Sequence, residues 1–332
     1  MPEFDVYGYR FVIDGDARGA IDGLASDFAF FASNGAGGAR PPATIRIRDA
    51  EPDYGRVPAL TAMAYTPRNT SYGDTRTTYV DYHGRGLGIH DRLTGDFEIA
   101  TRDVDLQYEA CYLFLLAALG EALDTRGLHR VHALGASLDG RAMLVLLPMG
   151  GGKSTLFWQL LQLPDVRLLS DDSPFIDRAG AVHAFPTRLG LLPGGEETVP
   201  AEHRRVVRRM EFGPKVMVDY QYFAARVVGR ADPSFVFIGH RTLADGTRIE
   251  PATARQAWRA MLANCVVGLG LFQGLEFLLT RRVQEMVARA PVGWSRLCAS
   301  RVLLKRSKVL NLYLGRDREA GAAALLDYVR RR

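Results

Sequence analysis

The apolar positions change their rhythm along the chain. From Phe4 to about Asp105 they recur in short runs (VYGYRFVI, ATIRIRD, LTAMAY, RTTYVDY and FEIATRD) separated by clusters of Gly, Pro, Asn and Asp, the pattern of strands and turns. This predicts a mainly β amino-terminal region over 1–105, with Ser33–Ala43 (SNGAGGARPPA) as its most flexible loop. From Gln107 to Leu123 the chain reads QYEACYLFLLAALGEAL, an apolar run without Pro that predicts a helix, closed by DTRG, where Gly127 can cap its carboxyl end. Beyond it strands and helices alternate. A short segment with His129 and His132 precedes a strand AMLVLLP over Ala142–Pro148, a glycine loop, the helix KSTLFWQLLQL, and a strand at Leu168-Leu169 ending on Ser170-Asp171-Asp172. Further strands are predicted at Phe175–Asp177, Val182–Phe185, Ser234–Gly239 and Val309–Gly315, and helices over PATARQAWRAMLAN, 268–289 and the closing REAGAAALLDYVRRR. The class is α/β with α+β elements, in two domains over 1–105 and 106–332, without an internal repeat.

Composition changes this picture little. The 332 residues are 47% hydrophobic and 24% charged, enough to bury a large core and more than one domain. Cys111, Cys265 and Cys298 are scattered and odd in number, which argues against a disulfide framework and a zinc ribbon and for a reducing cytoplasm. MPEFDVYGYR lacks the basic start and apolar run of an export signal. The stretch Met261–Leu279 nears membrane-spanning length, but Asn264, Gln273, Glu276 and three glycines make it a buried helix pair, so no membrane is expected. The net charge of +5 is concentrated in runs at His203–Arg209 and Arg330–Arg332, read as solvated helix faces. An acidic or phosphorylated partner suits such runs; nucleic acid does not, because no stacking aromatics are interleaved with them.

The candidate chemistry begins at LLPMGGGKSTLFWQLL, Leu146–Leu161. A phosphate-binding loop needs backbone N–H groups converging at a helix amino terminus, a lysine for the β and γ phosphates, and a hydroxyl for magnesium. Gly150, Gly151, Gly152, Lys153, Ser154 and Thr155 supply these. The consensus G-x-x-x-x-G-K-[ST] would put a glycine where Leu147 stands. Either the strand runs one residue further into an altered loop, or the site has decayed. Asp171 and Asp172, at a strand end, can ligate magnesium or take a proton from a substrate hydroxyl, and as neighbours they point in different directions and can divide these roles.

The combination resembles the HPr kinase/phosphorylase group and its relatives, which share a nucleotide-binding core with phosphoenolpyruvate carboxykinases. The resemblance rests on HALGASLDGRAMLVLLPMGGGKSTL (His132–Leu156), LLSDDSPFID (Leu168–Asp177) and AFPTRLGL (Ala184–Leu191), and it covers about Leu128–Leu191. His132 lies 21 residues before Lys153 and Asp171 lies 18 after it, separations expected in that group. The resemblance implies a P-loop-containing core that uses ATP and Mg2+. By the same resemblance Asp171 is the general base, Lys153 neutralises phosphate, Ser154 ligates magnesium with support from Asp172, and His132 lies in the active site. Thr155 stands where the HPr kinases proper carry an acidic residue, and their later glycine-rich signature is missing, which argues against HPr itself as substrate.

The activity expected from this is transfer of the γ-phosphoryl of ATP to a hydroxyl, serine foremost, of a protein or peptide. The alternatives are a small-molecule (metabolite) kinase, a nucleotide-binding regulatory module without efficient transfer, and a carboxykinase-like enzyme. Lys215, Arg188 and Arg241 are further cationic candidates for the transferring phosphate. The related kinases often assemble, so a homo-oligomer is also an expectation.

Overall fold

The alternation in the first hundred residues becomes a nine-stranded sheet. In the computed structural model, which describes residues 1–33, 35, 41–148, 150–191, 199–210, 213–268 and 289–332, the strands are β1 (Glu3–Val6), β2 (Tyr9–Gly15), β3 (Ala32–Ser33), β4 (Ala43–Arg48), β5 (Ala62–Tyr65), β6 (Thr70–Gly73), β7 (Thr77–Asp81), β8 (Gly86–Asp91) and β9 (Phe97–Thr101). Their order is β3-β1-β2-β4-β9-β8-β7-β6-β5. Tyr7 and Gly8, at φ 51° and 89°, make the tight reversal between β1 and β2, a turn whose twist matches that of the strands it joins. Helix α1 (Arg18–Asp27) carries the chain from β2 to its parallel neighbour β4.

The predicted long helix is α2 (Val104–Thr125). It alone among the described helices is long and apolar enough to cross a membrane, and it is mostly buried within the protein. Its apolar character is spent on the sheet: Phe114 stacks on Phe97 of β9 at 4.3 Å between centroids, and Tyr108 donates its hydroxyl to the buried Asp27 carboxylate at the end of α1. Met1–Leu123 forms most of one compact unit; Asp124–Arg205, Val216–Phe272 and Ala290–Arg332 form the other. The predicted flexible loop over Ser33–Ala43 falls largely outside the described residues, as does most of the predicted helix over 268–289 and of the apolar stretch after Met261.

His90 of β8 packs edge-on against Phe114 at 4.8 Å, and burial pushes its pKa down to about 4. The unfolded chain therefore takes up a proton near pH 6.5 that the folded chain refuses until about pH 4. Stability is lost as pH falls through that window, by roughly 3 kcal/mol at 1.36 kcal/mol per pKa unit. In urea unfolding at pH 7 and pH 4, His90→Gln is expected to remove most of this loss; an unchanged pH slope would refute it.

The second unit is a mixed sheet with helices packed on it. Its strands are β10 (His129–Arg130), β11 (Leu134–Leu138), β12 (Arg141–Leu146), β13 (Val166–Ser170), β14 (Phe175–Ile176) and β15 (Val182–His183). A separate three-stranded sheet comes next along the chain, of β16 (Leu189–Gly190), β17 (Arg204–Arg209) and β18 (Gly213–Val218), in the order β16-β18-β17, of which Val206–Lys215 is grouped with the first unit. The main sheet then adds β19 (Arg230–Arg241), β20 (Arg248–Pro251) and β21 (Lys308–Leu314). Its order is β10-β14-β15-β19-β12-β11-β13, with β21 beside β19 and β20 beside β21. The helices are α3 (Lys153–Leu161), the short α4 (Tyr220–Phe223), α5 (Ala254–Met261), α6 (Ala290–Arg306) and α7 (Arg318–Arg330). Leu156, Phe157 and Leu160 of α3 join Leu325, Leu326 and Val329 of α7 in one core with Met143 and Val145 of β12 and Phe235 and Phe237 of β19.

Two sequence expectations are corrected here, and one strand is added. The strand expected over Ala142–Pro148 ends at Leu146. The arginine run around Arg204–Arg209 is strand β17, not a helix face, because its centre is the β-branched pair Val206-Val207, of which Val207 is buried and Val206 exposed. Strand β11 was not predicted at all. It forms a hairpin with β12 through Asp139 and Gly140, both at positive φ (50° and 75°), and an Asp-Gly pair between apolar runs is the signal that identifies it.

Candidate functional site

The connection from β12 to α3 carries the site. Strand β12 runs parallel to β19, and β11 lies antiparallel between β12 and β13, so β12 and β13 point the same way and α3 crosses from one to the other. The glycine loop thus sits at the carboxyl end of β12 and the acidic pair just past the carboxyl end of β13, the edge of a sheet where open α/β folds place ligands. Gly150 and Gly152 hold φ of 73° and 99°, conformations that residues with a Cβ rarely adopt, and a Cβ built on either would meet open space. Gly152 is the N-cap of α3, which begins at Lys153 with Ser154 and Thr155 in its first turn. The Gly151 N–H is already engaged with the Pro148 carbonyl at 2.9 Å.

Lys153 points back under this loop. It is 7% exposed, donates to the Leu147 carbonyl at 2.9 Å and meets His132 Nε2 at 2.8 Å. An ammonium has only donors, so Nε2 accepts, and the proton of the neutral ring sits on Nδ1. That Nδ1 has no hydrogen-bond partner among the described residues and lies 3.4 Å from Asp172 Oδ1, which is also 3.7 Å from Lys153 Nζ. Burial pulls the Lys153 pKa down, while the charges of Asp172 and Asp171 oppose the shift. A buried, partly desolvated ammonium beneath an open glycine loop suits a polyanion, whose charge would replace the missing hydration.

Backbone bonds bring His132 and Asp172 together. Val131 N–H donates to the Pro174 carbonyl at 2.9 Å and Ala133 N–H to the Asp172 carbonyl at 3.0 Å, zipping the histidine segment onto the acidic turn. Ser170 Oγ accepts from the Ser173 N–H at 3.0 Å and shapes that turn. His132, Lys153 and Asp172 therefore form one contact cluster, with Asp171 beside it and acting on Lys153 through its charge. Of the cationic candidates, Arg241 is exposed at the end of β19, three residues past the Leu146–Ile238 pair and so at the same sheet edge as the loop. Arg188 is half-buried just before β16, and Lys215 is half-buried on β18. No cluster of three or more His, Cys, Asp or Glu side chains able to hold a metal occurs among the described residues. Magnesium in a phosphate loop needs none, since phosphate oxygens, water and a Ser or Thr hydroxyl fill most of its coordination.

Leu147 explains the absent glycine. Its side chain is 1% exposed and belongs to the core, packed so closely on Gly239 of β19 that a Cβ at 239 would lie 2.3 Å from it. Its carbonyl meanwhile holds Lys153. Leu147→Gly, which restores the consensus, is therefore expected to cost about 3–5 kcal/mol in urea unfolding without tightening nucleotide binding. A stable variant with higher affinity would show the leucine to be a defect. Sequence reasoning missed this double role, and it missed Asn264, whose carbonyl accepts the His132 N–H at 2.8 Å.

No protein-family model matches the chain, and no curated protein matches it. Among solved structures it is similar to the Hpr(Ser) kinase/phosphatase from Coxiella burnetii, at 11% identity over 61% of this chain and 95% of that one, with a TM-score of 0.28. This is a distant likeness, and the functional reading below rests on the site's own geometry.

Proposed function

We propose that this protein is an ATP-dependent kinase that transfers the γ-phosphoryl group to a hydroxyl, with serine of a protein or peptide as the foremost acceptor. The observation that carries the reading is the buried Lys153 held between the Leu147 carbonyl and His132 Nε2, directly below the positive-φ glycines and beside a carboxylate pair. In the proposed site the amides around Gly150–Gly152 and the amino terminus of α3 take the phosphates, and Lys153 neutralises them. Ser154 and Asp172 would hold magnesium, which draws charge from the β and γ phosphates. Asp171 accepts the proton as the acceptor oxygen forms its bond to the γ-phosphorus, while the bond from that phosphorus to the β–γ bridging oxygen breaks and ADP leaves. His132, its Nε2 turned to Lys153, keeps the ammonium aimed at the loop. A cytoplasmic location and a homo-oligomeric state belong to the same proposal.

A nucleotide-binding module without efficient transfer is the second reading, favoured by one feature: the Gly151 N–H is spent on Pro148 and is not turned to a ligand. One experiment separates the two. γ-Labelled ATP and magnesium are incubated with the protein and with Asp171→Asn, and label released to water or transferred to serine-containing peptides is counted alongside ATP affinity. Turnover that exceeds that of Asp171→Asn supports the kinase; tight binding with equal turnover leaves the module; no ATP binding removes both.

A further inference from the structure

A second polar cluster lies in the same unit, away from the glycine loop. Asp124, the next-to-last residue of α2, is buried, with its Oδ1 2.7 Å from His129 Nδ1. Arg296 of α6 grips the same carboxylate with two donors, Nε to Oδ1 at 3.0 Å and Nη2 to Oδ2. His129 Nε2 lies 2.9 Å from Ser295 Oγ. The row Asp124–His129–Ser295 has the spacing of an acyl-transfer triad. His129, however, is wholly buried and Asp124 is claimed on its other oxygen by Arg296, which makes the row a clamp.

What the clamp holds is next to the candidate site. Arg296 Nη1 donates to the carbonyls of Val266 at 3.2 Å and Cys265 at 3.4 Å. Both belong to the π-helical turn Leu262–Val266 that continues α5, a geometry found as single turns, frequently at functional sites. The middle residue of that turn is Asn264, whose side chain donates back to the Ala260 carbonyl at 2.9 Å and whose own carbonyl accepts the His132 N–H. We infer that Arg296, anchored by Asp124, is a positioning residue for the candidate site: it fixes the π turn, and through Asn264 the turn fixes the backbone of His132 and so the ring that faces Lys153. The use made of His132 rests on the proposed function; the mechanical link does not.

The pair is built to persist. Burial works against the charge on Asp124, but hydrogen bonds from His129 and Arg296 outweigh it and hold the carboxyl below its usual range. Arg296 reaches both Asp124 and the π turn, with Nε and Nη2 on the carboxylate and Nη1 on the turn.

The test reads His132 directly. In the 15N-labelled protein, which has seven histidines, the His132 signals are assigned by comparison with His132→Gln, and its amide exchange and ring nitrogen shifts are compared with those of Arg296→Met and Arg296→Lys. The expected result is a His132 amide that exchanges at least about tenfold faster in Arg296→Met, with ring shifts moving towards a mixed tautomer, and a partial return in Arg296→Lys. The amides of Val145 and Leu168 should keep their protection. Unchanged His132 signals overturn the inference, and so does loss of protection at Val145 and Leu168 in step with His132, which marks general destabilisation. Where Arg296→Met does not fold, Arg296→Lys carries the same comparison. ATP titration of the wild type against Lys153→Ala is scored separately, so a failed nucleotide reading leaves the His132 result standing.

Discussion

Lys153→Ala is expected to weaken ATP binding by roughly 100-fold, from the 1.5–3 kcal/mol that a hydrogen bond to a charged group contributes. The buried setting places the value at the upper end. The ammonium is 7% exposed and its pKa is pulled down by burial, so it is underhydrated before any ligand arrives, and a phosphate gains the full charge of a group that gives up little water. The same setting predicts a pH dependence. Lys153 must be protonated to attract phosphate, and its lowered pKa brings loss of the charge, and so of ATP affinity, at a lower alkaline pH than for an ordinary lysine; Lys153→Ala should show no such alkaline loss. Isothermal titration at two pH values checks both. Equal affinity in wild type and variant would mean that this loop holds no nucleotide, whatever its glycines suggest.

The sequence exposed the parts of this site that are local and concealed those that are not. GGGKST after a β run, followed by an apolar helix, is local: the glycine conformations and the start of α3 at Lys153 follow from six consecutive residues. Other elements were legible for the same reason, with period-two alternation for β4 and β9 of the first unit and a Thr253–Gln256 capping box at the start of α5 in the second. Three of the features that escaped show why. Strand β11 is short, and its alternation of Leu134, Ala136 and Leu138 rests on small residues between, without a β-branched or aromatic side chain, so its Asp-Gly turn is the stronger signal. The arginine run became β17 because Val206-Val207 outweighed the charges, which a helical reading treats as a face. Leu147 violates the loop consensus for a tertiary reason, its contact with Gly239, 92 residues away in the chain, and no pattern within the loop could reveal it. Arg296 and Asn264 belong with Leu147: each acts through a backbone carbonyl of a remote segment, and carbonyls leave no trace in residue type.

Asp171→Asn and Asp172→Asn are expected to fail differently, and the difference assigns the two carboxylates. Asp172 is tied into the cluster, 3.4 Å from His132 Nδ1 and 3.7 Å from Lys153 Nζ, although its side chain is 50% exposed. Neutralising it removes the carboxylate beside the Lys153 ammonium and the His132 ring and one of the two groups proposed to hold magnesium, so Mg-ATP affinity should fall several-fold and the magnesium concentration for half-maximal turnover should rise. Asp171 acts on the same field through its charge on Lys153. As the proposed base, its loss should leave ATP affinity within about twofold and lower turnover by 100- to 10,000-fold, the range typical of a positioned proton acceptor. Asparagine keeps the shape and removes the proton-accepting charge, so a large rate loss with intact binding isolates the proton transfer from positioning. The reverse pattern, with Asp172→Asn losing rate alone and Asp171→Asn losing magnesium, would exchange the two roles. Equal and modest losses in both would remove the general base from this carboxylate pair, since His132 carries its proton on Nδ1 and spends Nε2 on Lys153.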